Sequence, residues 1–177
     1  MAHVVFLRGA NVGGKNVFRP AQLVAALAHL DVLNVGAAGT FVVRGKSSAA
    51  AIREEILSRL PFAPGIAIRR ASEIRALARS GPFAGRPLAK DERAWAAVLC
   101  GKPTKRPSLP HLAPAGKDWS VRIERIEGSL VLGILHRRPK FLFPNQVVEK
   151  EFGVPATTRW WDTIEKVAQI LEGSASR

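Results

Sequence analysis

With a single cysteine, Cys100, the chain cannot close an intramolecular disulfide. Cys100 ends the apolar run Ala96-Ala97-Val98-Leu99, so a buried thiol in a reducing compartment is expected, and with it a cytoplasmic location. No apolar run approaches the roughly 18 residues of a membrane helix, which leaves no membrane among the expected partners. The opening stretch, Met1-Ala2-His3-Val4-Val5-Phe6-Leu7-Arg8, lacks the basic region and cleavage site of a secretion signal and reads as a β-strand. His3, His29, His111 and His136 are scattered, and none stands at metal-ligand spacing from a Cys, Asp or Glu. No metal and no cofactor is therefore expected. Lone residues also nominate no nucleophile and base, so catalytic residues stay unassigned.

Acidic residues are scarce as well, 14 Asp+Glu against 27 Lys+Arg, for a formal net charge of +13. Most of the imbalance lies early: residues 1–90 hold 13 of the Lys+Arg and only 4 of the Asp+Glu. Such a field attracts nucleic acid, anionic lipid or phosphorylated metabolites. The plainer account is solubility together with a compositional preference for arginine. Hydrophobic residues at 47% and charged residues at 23% are ordinary for a globular protein and allow a core without disulfides or metals.

The first half alternates between strand and helix signals. His3–Gly9 is an apolar run ending in a turn, and Pro20 suits a first helical position, with Leu23, Leu27 and Leu30 behind it at helical spacing. Asp31–Gly36 and Thr40–Arg44 read as strands of a hairpin. Ser47 or Ser48 caps a helix whose inner face is Ile52, Ile56 and Leu60, Gly65–Arg70 is a further strand, and a short helix follows Ser72. The order β-α-β-β-α-β is that of a ferredoxin-like domain. The expected architecture is α+β: a ferredoxin-like first domain over residues 1–80, a glycine- and proline-rich linker over 81–93, and a second, smaller α+β domain over 94–177 packed against the first.

In that second half Ala94–Cys100 reads as a strand, and Lys102–Pro114, with four prolines, as irregular chain with a short helical turn. Val121–Ile126 and Leu130–Leu135 form a hairpin through Glu127-Gly128-Ser129. Pro144–Phe152 is a helix closed by Gly153, and Asp162-x-x-Glu165 opens a last helix with Ile164, Val167, Ala168 and Leu171 inward. Residues 173–177 read as a frayed tail. Trp160-Trp161 suits a core or a homodimer contact.

The motif most suggestive of chemistry is Arg8-Gly9-Ala10-Asn11-Val12-Gly13-Gly14-Lys15-Asn16, between the first strand and first helix. Gly9, Gly13 and Gly14 permit left-handed backbone, so that successive amides can face one centre. Arg8, Lys15 and nearby Arg19 add charge; Asn11 and Asn16 add donors. The spacing is that of a phosphate-binding loop, Gly-x-x-x-x-Gly-Lys, but Asn16 stands where a magnesium-binding Ser or Thr belongs, and the helix starts at Pro20 rather than at the Gly-Lys pair. Nucleotide hydrolysis of the P-loop kind is not expected; anion binding at Arg8, Asn11, Gly13, Gly14, Lys15, Asn16 and Arg19 is. The plainer account is a tight connection that needs glycine. Phe6 and Phe41 stand where RNA-recognition domains stack bases, yet the consecutive apolar residues around both mark strands buried on both faces, so core packing is expected for each. His136-Arg137-Arg138-Pro139-Lys140 is a basic cluster that reads as a solvated loop able to complete an anion pocket.

Phe6-Leu7-Arg8-Gly9-Ala10-Asn11-Val12-Gly13-Gly14-Lys15 resembles the Leu-Arg-Gly-Ile-Asn-Val-Gly-Gly signature of the bacterial family called Domain of Unknown Function sixteen-ninety-seven. Phe143-Pro144-Asn145 and Gly153-Val154-Pro155-Ala156-Thr157-Thr158-Arg159 resemble two further blocks of it. The resemblance implies a two-part α+β fold with a ferredoxin-like first half; it implies no activity, substrate or catalytic residue. Two blocks depart from the family. Ala37-Ala38-Gly39-Thr40 replaces the usual Gln-Ser-Gly-Asn, and Trp160-Trp161-Asp162-Thr163 replaces Asn-Trp-Asn-Thr. Three functional expectations follow: binding of a phosphate-bearing ligand (a nucleotide-like metabolite or nucleic acid) at residues 8–16, an enzyme of unassigned class acting at that loop, or a non-catalytic structural or dimerisation module.

Overall fold

The computed structural model describes residues 1–11 and 13–173; Val12 and the expected tail beyond Gly173 lie outside the described residues. The chain is a mixed α+β protein with two antiparallel sheets and five α-helices among those residues. Contacts divide it into two compact units, one of residues 1–82 with 163–177, the other of residues 83–162. The last helix thus groups with the first unit, although it follows the strands of the second in sequence. Reading the chain in order had placed all of 94–177 together.

The first unit contains β1 (His3–Arg8), α1 (Pro20–Ala26), β2 (Val32–Asn34), β3 (Thr40–Val43), α2 (Ala49–Leu57), β4 (Gly65–Arg70), α3 (Ala71–Arg79) and most of α5 (Trp161–Gly173). A single 3₁₀ turn, Ala28–Leu30, follows α1. The strand order is β2-β3-β1-β4, and every pairing is antiparallel. Val4 to Leu7 on β1 and Phe41 to Val43 on β3 are buried whichever way they point, as their unbroken apolar character requires. Phe6 and Phe41 are both fully buried and offer no face to a base.

Local sequence explains these elements. Pro20 at the start of α1 has no N–H to leave unsatisfied. The Ser48 hydroxyl accepts from the Ala51 N–H at 3.1 Å and caps α2, whose Ile52 and Ile56 point inward. Val5, Leu7, Phe41 and Val43 on one sheet face share a core with Leu23 of α1, Leu27 just after it, and Ile52 and Ile56 of α2. Arg79 of α3 pairs with Glu172 of α5 at 3.2 Å.

The second unit contains β5 (Glu92–Leu99), β6 (His111–Ala113), β7 (Val121–Glu127), β8 (Leu130–His136), α4 (Pro144–Phe152) and β9 (Ala156–Trp160). Its sheet runs β6-β7-β8-β5-β9, again antiparallel throughout. α4 has the bounds expected from sequence, with Val147, Val148 and Phe152 in a core shared with Trp95, Leu99, Ile123 and Val131.

Two expectations are corrected here, and one strand is added. The proline-rich stretch holds a short edge strand, β6, flanked by Pro110 and Pro114, rather than a helical turn; proline is tolerated at such edges. Residues 156–160 form a strand that sequence did not signal, because buried Thr157 and Arg159 break the apolar alternation. Cys100 is only partly buried, one residue past the end of β5. Among the described residues no helix is long and apolar enough to cross a membrane.

Candidate functional site

β1 delivers the chain into the glycine-rich loop at Arg8, a half-buried residue whose stem lies over Gly65 of the neighbouring strand: a Cβ on Gly65 would stand 3.1 Å from Arg8 Cβ. Ala10 is 1% exposed and joins the core beside Leu7 and Phe41, which plants the loop's first half in the protein. Five of the loop's described residues have left-handed backbone: Gly9, Asn11, Gly13, Gly14 and Asn16, with φ between 51° and 71°. Glycine takes that conformation without cost, and asparagine is among the side chains that tolerate it best.

Hydrogen bonds concentrate at the base of the loop. The Asn11 N–H donates to the Asn16 carbonyl at 3.1 Å. Asn16 Nδ2 donates to the Gly9 carbonyl at 3.1 Å, and Asn11 Nδ2 to the Ala37 carbonyl at 3.0 Å. Asn11 Oδ1 accepts the Phe18 N–H at 2.9 Å. The two asparagines, expected from sequence as ligand donors, thus hold the loop to itself and to the β2–β3 connection. Gly13, Gly14 and Lys15 stand exposed at the tip. An added Cβ on Gly13 or Gly14 would meet nothing within 4 Å.

The β2–β3 connection is the neighbour that sequence reasoning did not foresee. Besides Ala37, it supplies the Gly39 carbonyl, which accepts the Leu7 N–H at 2.8 Å. Gly39 itself lies against the Leu7 side chain, and a Cβ there would approach Leu7 Cβ to 2.8 Å. The block of residues 37–40 therefore borders the glycine-rich loop. Nothing local in the sequence placed it beside residue 11.

Past the tip the chain enters a cleft of about 520 Å³. Its apolar wall includes Val17, Phe18, Leu23 and Leu60; Arg19, Gln22 and Arg59 supply its polar groups. The Phe18 ring is fixed against Phe41 at 6.3 Å and Phe62 at 6.1 Å between centroids, within the usual range for aromatic pairs. Of the residues nominated from sequence, Arg19 lines this cleft, whereas Arg8 ends β1 and Lys15 sits at the tip. Arg59 is held by Glu55, Nη1 to Oε2 at 2.5 Å. Lys15 and Arg19 make no ion pair among the described residues, and no Asp or Glu occurs before Asp31.

Residues 1–125 match the family described as "Protein of unknown function (DUF1697)". The chain is similar in structure to the conserved bacterial protein SP0830 from Streptococcus pneumoniae, at a TM-score of 0.59 and 19% identity, over 96% of this chain and 98% of that one. At that identity the likeness is one of fold. No curated protein matches the chain.

Proposed function

Because the chain belongs to the DUF1697 family of proteins of unknown function, we propose a function from the loop itself: it binds a phosphate-bearing ligand, a nucleotide-like metabolite or nucleic acid, at residues 8–16. The observation that carries this reading is the exposed tip Gly13-Gly14-Lys15, held out on a base that is hydrogen-bonded shut. Left-handed Gly13 and Gly14 within the tip leave backbone amides to meet an incoming oxyanion. Lys15 and Arg19 provide charge, with no carboxylate in the first 30 residues to neutralise it. The cleft beside the tip, apolar on one wall and edged by arginine and glutamine, suits the uncharged part of a nucleotide-like metabolite. A cytoplasmic setting accords with Cys100 being the one cysteine, outside any intramolecular disulfide.

Titration with inorganic phosphate, nucleoside phosphates and a short oligonucleotide tests the reading. Lys15→Ala and Arg19→Ala are each expected to weaken binding severalfold and to lower the salt dependence by about one ion per lost phosphate contact. Absence of binding to every anion, or binding untouched by both substitutions, overturns the proposal. Turnover of a bound nucleotide would make the loop an active site. A flat screen with a dimeric size would make it only a turn.

A further inference from the structure

Residues 137–143, Arg-Arg-Pro-Lys-Phe-Leu-Phe, connect β8 to α4, and they carry the largest run of consecutive exposed apolar side chains among the described residues. Phe141, Leu142 and Phe143 are 37%, 41% and 57% exposed. The Phe141 and Phe143 rings, two residues apart on one strap, meet edge to face at 5.1 Å. Apolar groups left in water at such a density mark a contact surface.

The strap's backbone is pinned while its side chains are not. Arg138 donates from Nε to the Trp119 carbonyl at 3.1 Å and from Nη2 to the Lys117 carbonyl at 3.2 Å. The Leu142 N–H donates to Ser120 Oγ at 3.0 Å. The Phe143 carbonyl accepts from the first turn of α4. Arg137 and Lys140, both exposed, make no ion pair among the described residues. No Asp or Glu lies between Glu127 and Glu149. Aromatic rings and the two cations Arg137 and Lys140 are thus presented together, while the nearby carboxylates are turned to other groups, Asp118 to Arg138 at 3.8 Å and Asp91 to His136 at 2.7 Å.

We propose that this strap binds single-stranded nucleic acid, with Phe141 and Phe143 stacking on unpaired bases and Arg137 and Lys140 contacting the phosphates between them. Base–aromatic stacking is sequence-tolerant, and it combines with a cationic track in proteins that hold single strands. The net charge of +13 has the sign that draws a polyanion in. An anionic membrane is the weaker occupant. α4, the helix that follows the strap, turns Val147, Val148 and Phe152 into the protein's own core and leaves no amphipathic face to lie on a bilayer.

The test is fluorescence anisotropy of a labelled oligothymidylate and oligouridylate, at about 50 and about 200 mM salt, with the full chain and three variants. Phe141→Ala with Phe143→Ala is expected to weaken binding more than tenfold and leave the salt slope in place. Arg137→Ala with Lys140→Ala is expected to weaken it and flatten the slope. All four positions are exposed, so circular dichroism melts of the variants should overlay the parent. Lys15→Ala separates this site from the glycine-rich loop: loss of oligonucleotide binding with Lys15→Ala, but not with the double phenylalanine variant, overturns the strap. Absence of oligonucleotide binding overturns it too. So does preferential sedimentation with phosphatidylglycerol vesicles, or self-association that the phenylalanine changes abolish.

Discussion

The backbone N–H of Asn11 donates to the carbonyl of Asn16 at 3.1 Å and pinches the glycine-rich loop shut across its base. The Asn11 side chain extends that closure in two directions, to Ala37 and to Phe18. Asn11→Ala removes both bonds and places an alanine at φ 54°. Each lost bond costs about 0.5–1.5 kcal/mol, and the left-handed backbone about 1 kcal/mol more. Asn11→Gly loses the bonds but suits the backbone. Urea midpoints should therefore fall in the order parent, Asn11→Gly, Asn11→Ala, and three equal midpoints would mean that the closure contributes nothing to stability.

Gly133 on β8 lies between Trp95 of β5 and Ile123 of β7 in the ladder. A Cβ there would overlap the Arg122 carbonyl oxygen and the Trp95 indole. Trp95 is fully buried and has no room to yield, and moving the carbonyl breaks the sheet. Gly133→Ala should cost about 3 kcal/mol, the upper part of the range for overpacking. Gly101→Ala, where nothing lies within 4 Å of the added carbon, should stay within about 0.5 kcal/mol. Thermal melts of the pair decide the point: similar midpoints for both variants would contradict the packing described for Trp95.

Much of the fold was legible because its signals are local. α4 begins at Pro144 and ends before Gly153, with Val147 and Val148 inward, and both boundaries follow from residues within the helix or next to it. The candidate site was only half legible. Its glycines announce left-handed backbone by themselves, but the role of Asn11 depends on Ala37, 26 residues away. The cleft needs Arg59 and Leu60 from the segment just after α2. β9 was hidden for a different reason, since a strand that buries Thr157 and Arg159 carries no apolar period. Phe141 and Phe143 drew no reading from sequence, because composition alone cannot distinguish an exposed aromatic from a core one.

Arg93 tests how much a surface contact contributes. Its guanidinium lies 4.2 Å over the Trp160 ring and reaches Asp162 Oδ2 at 2.9 Å. The Arg93 and Asp162 side chains are 40% and 67% exposed, so water and salt screen the ion pair. Asp162→Asn should cost less than about 1 kcal/mol and lose that effect at about 1 M salt. Arg93→Ala also removes the stacked cation, and part of its cost should survive the salt. Identical salt responses for the two variants would show that the stack adds nothing beyond the ion pair.

His3 gives the fold a pH dependence of definite sign. It sits on β1 opposite Val43 and Arg70 and is 8% exposed. Burial, the chief cause, holds its pKa below the usual 6.5; the N-terminal amine and Arg70 act the same way, and the Met1 backbone and Glu73 oppose them. The unfolded chain therefore takes up this proton at a higher pH than the folded one. Between the two pKa values the unfolded state binds more protons, so stability declines as pH falls through about 6.5 toward the folded pKa, and the loss is complete below it. Above 6.5 the imidazole is neutral in both states and contributes no slope. Urea midpoints of the parent and His3→Gln, compared from about pH 7.5 down to about pH 5.5, isolate this residue because the other histidines are common to both. The parent should lose more stability over that interval than the variant, and parallel curves would show that protonating His3 costs the fold nothing.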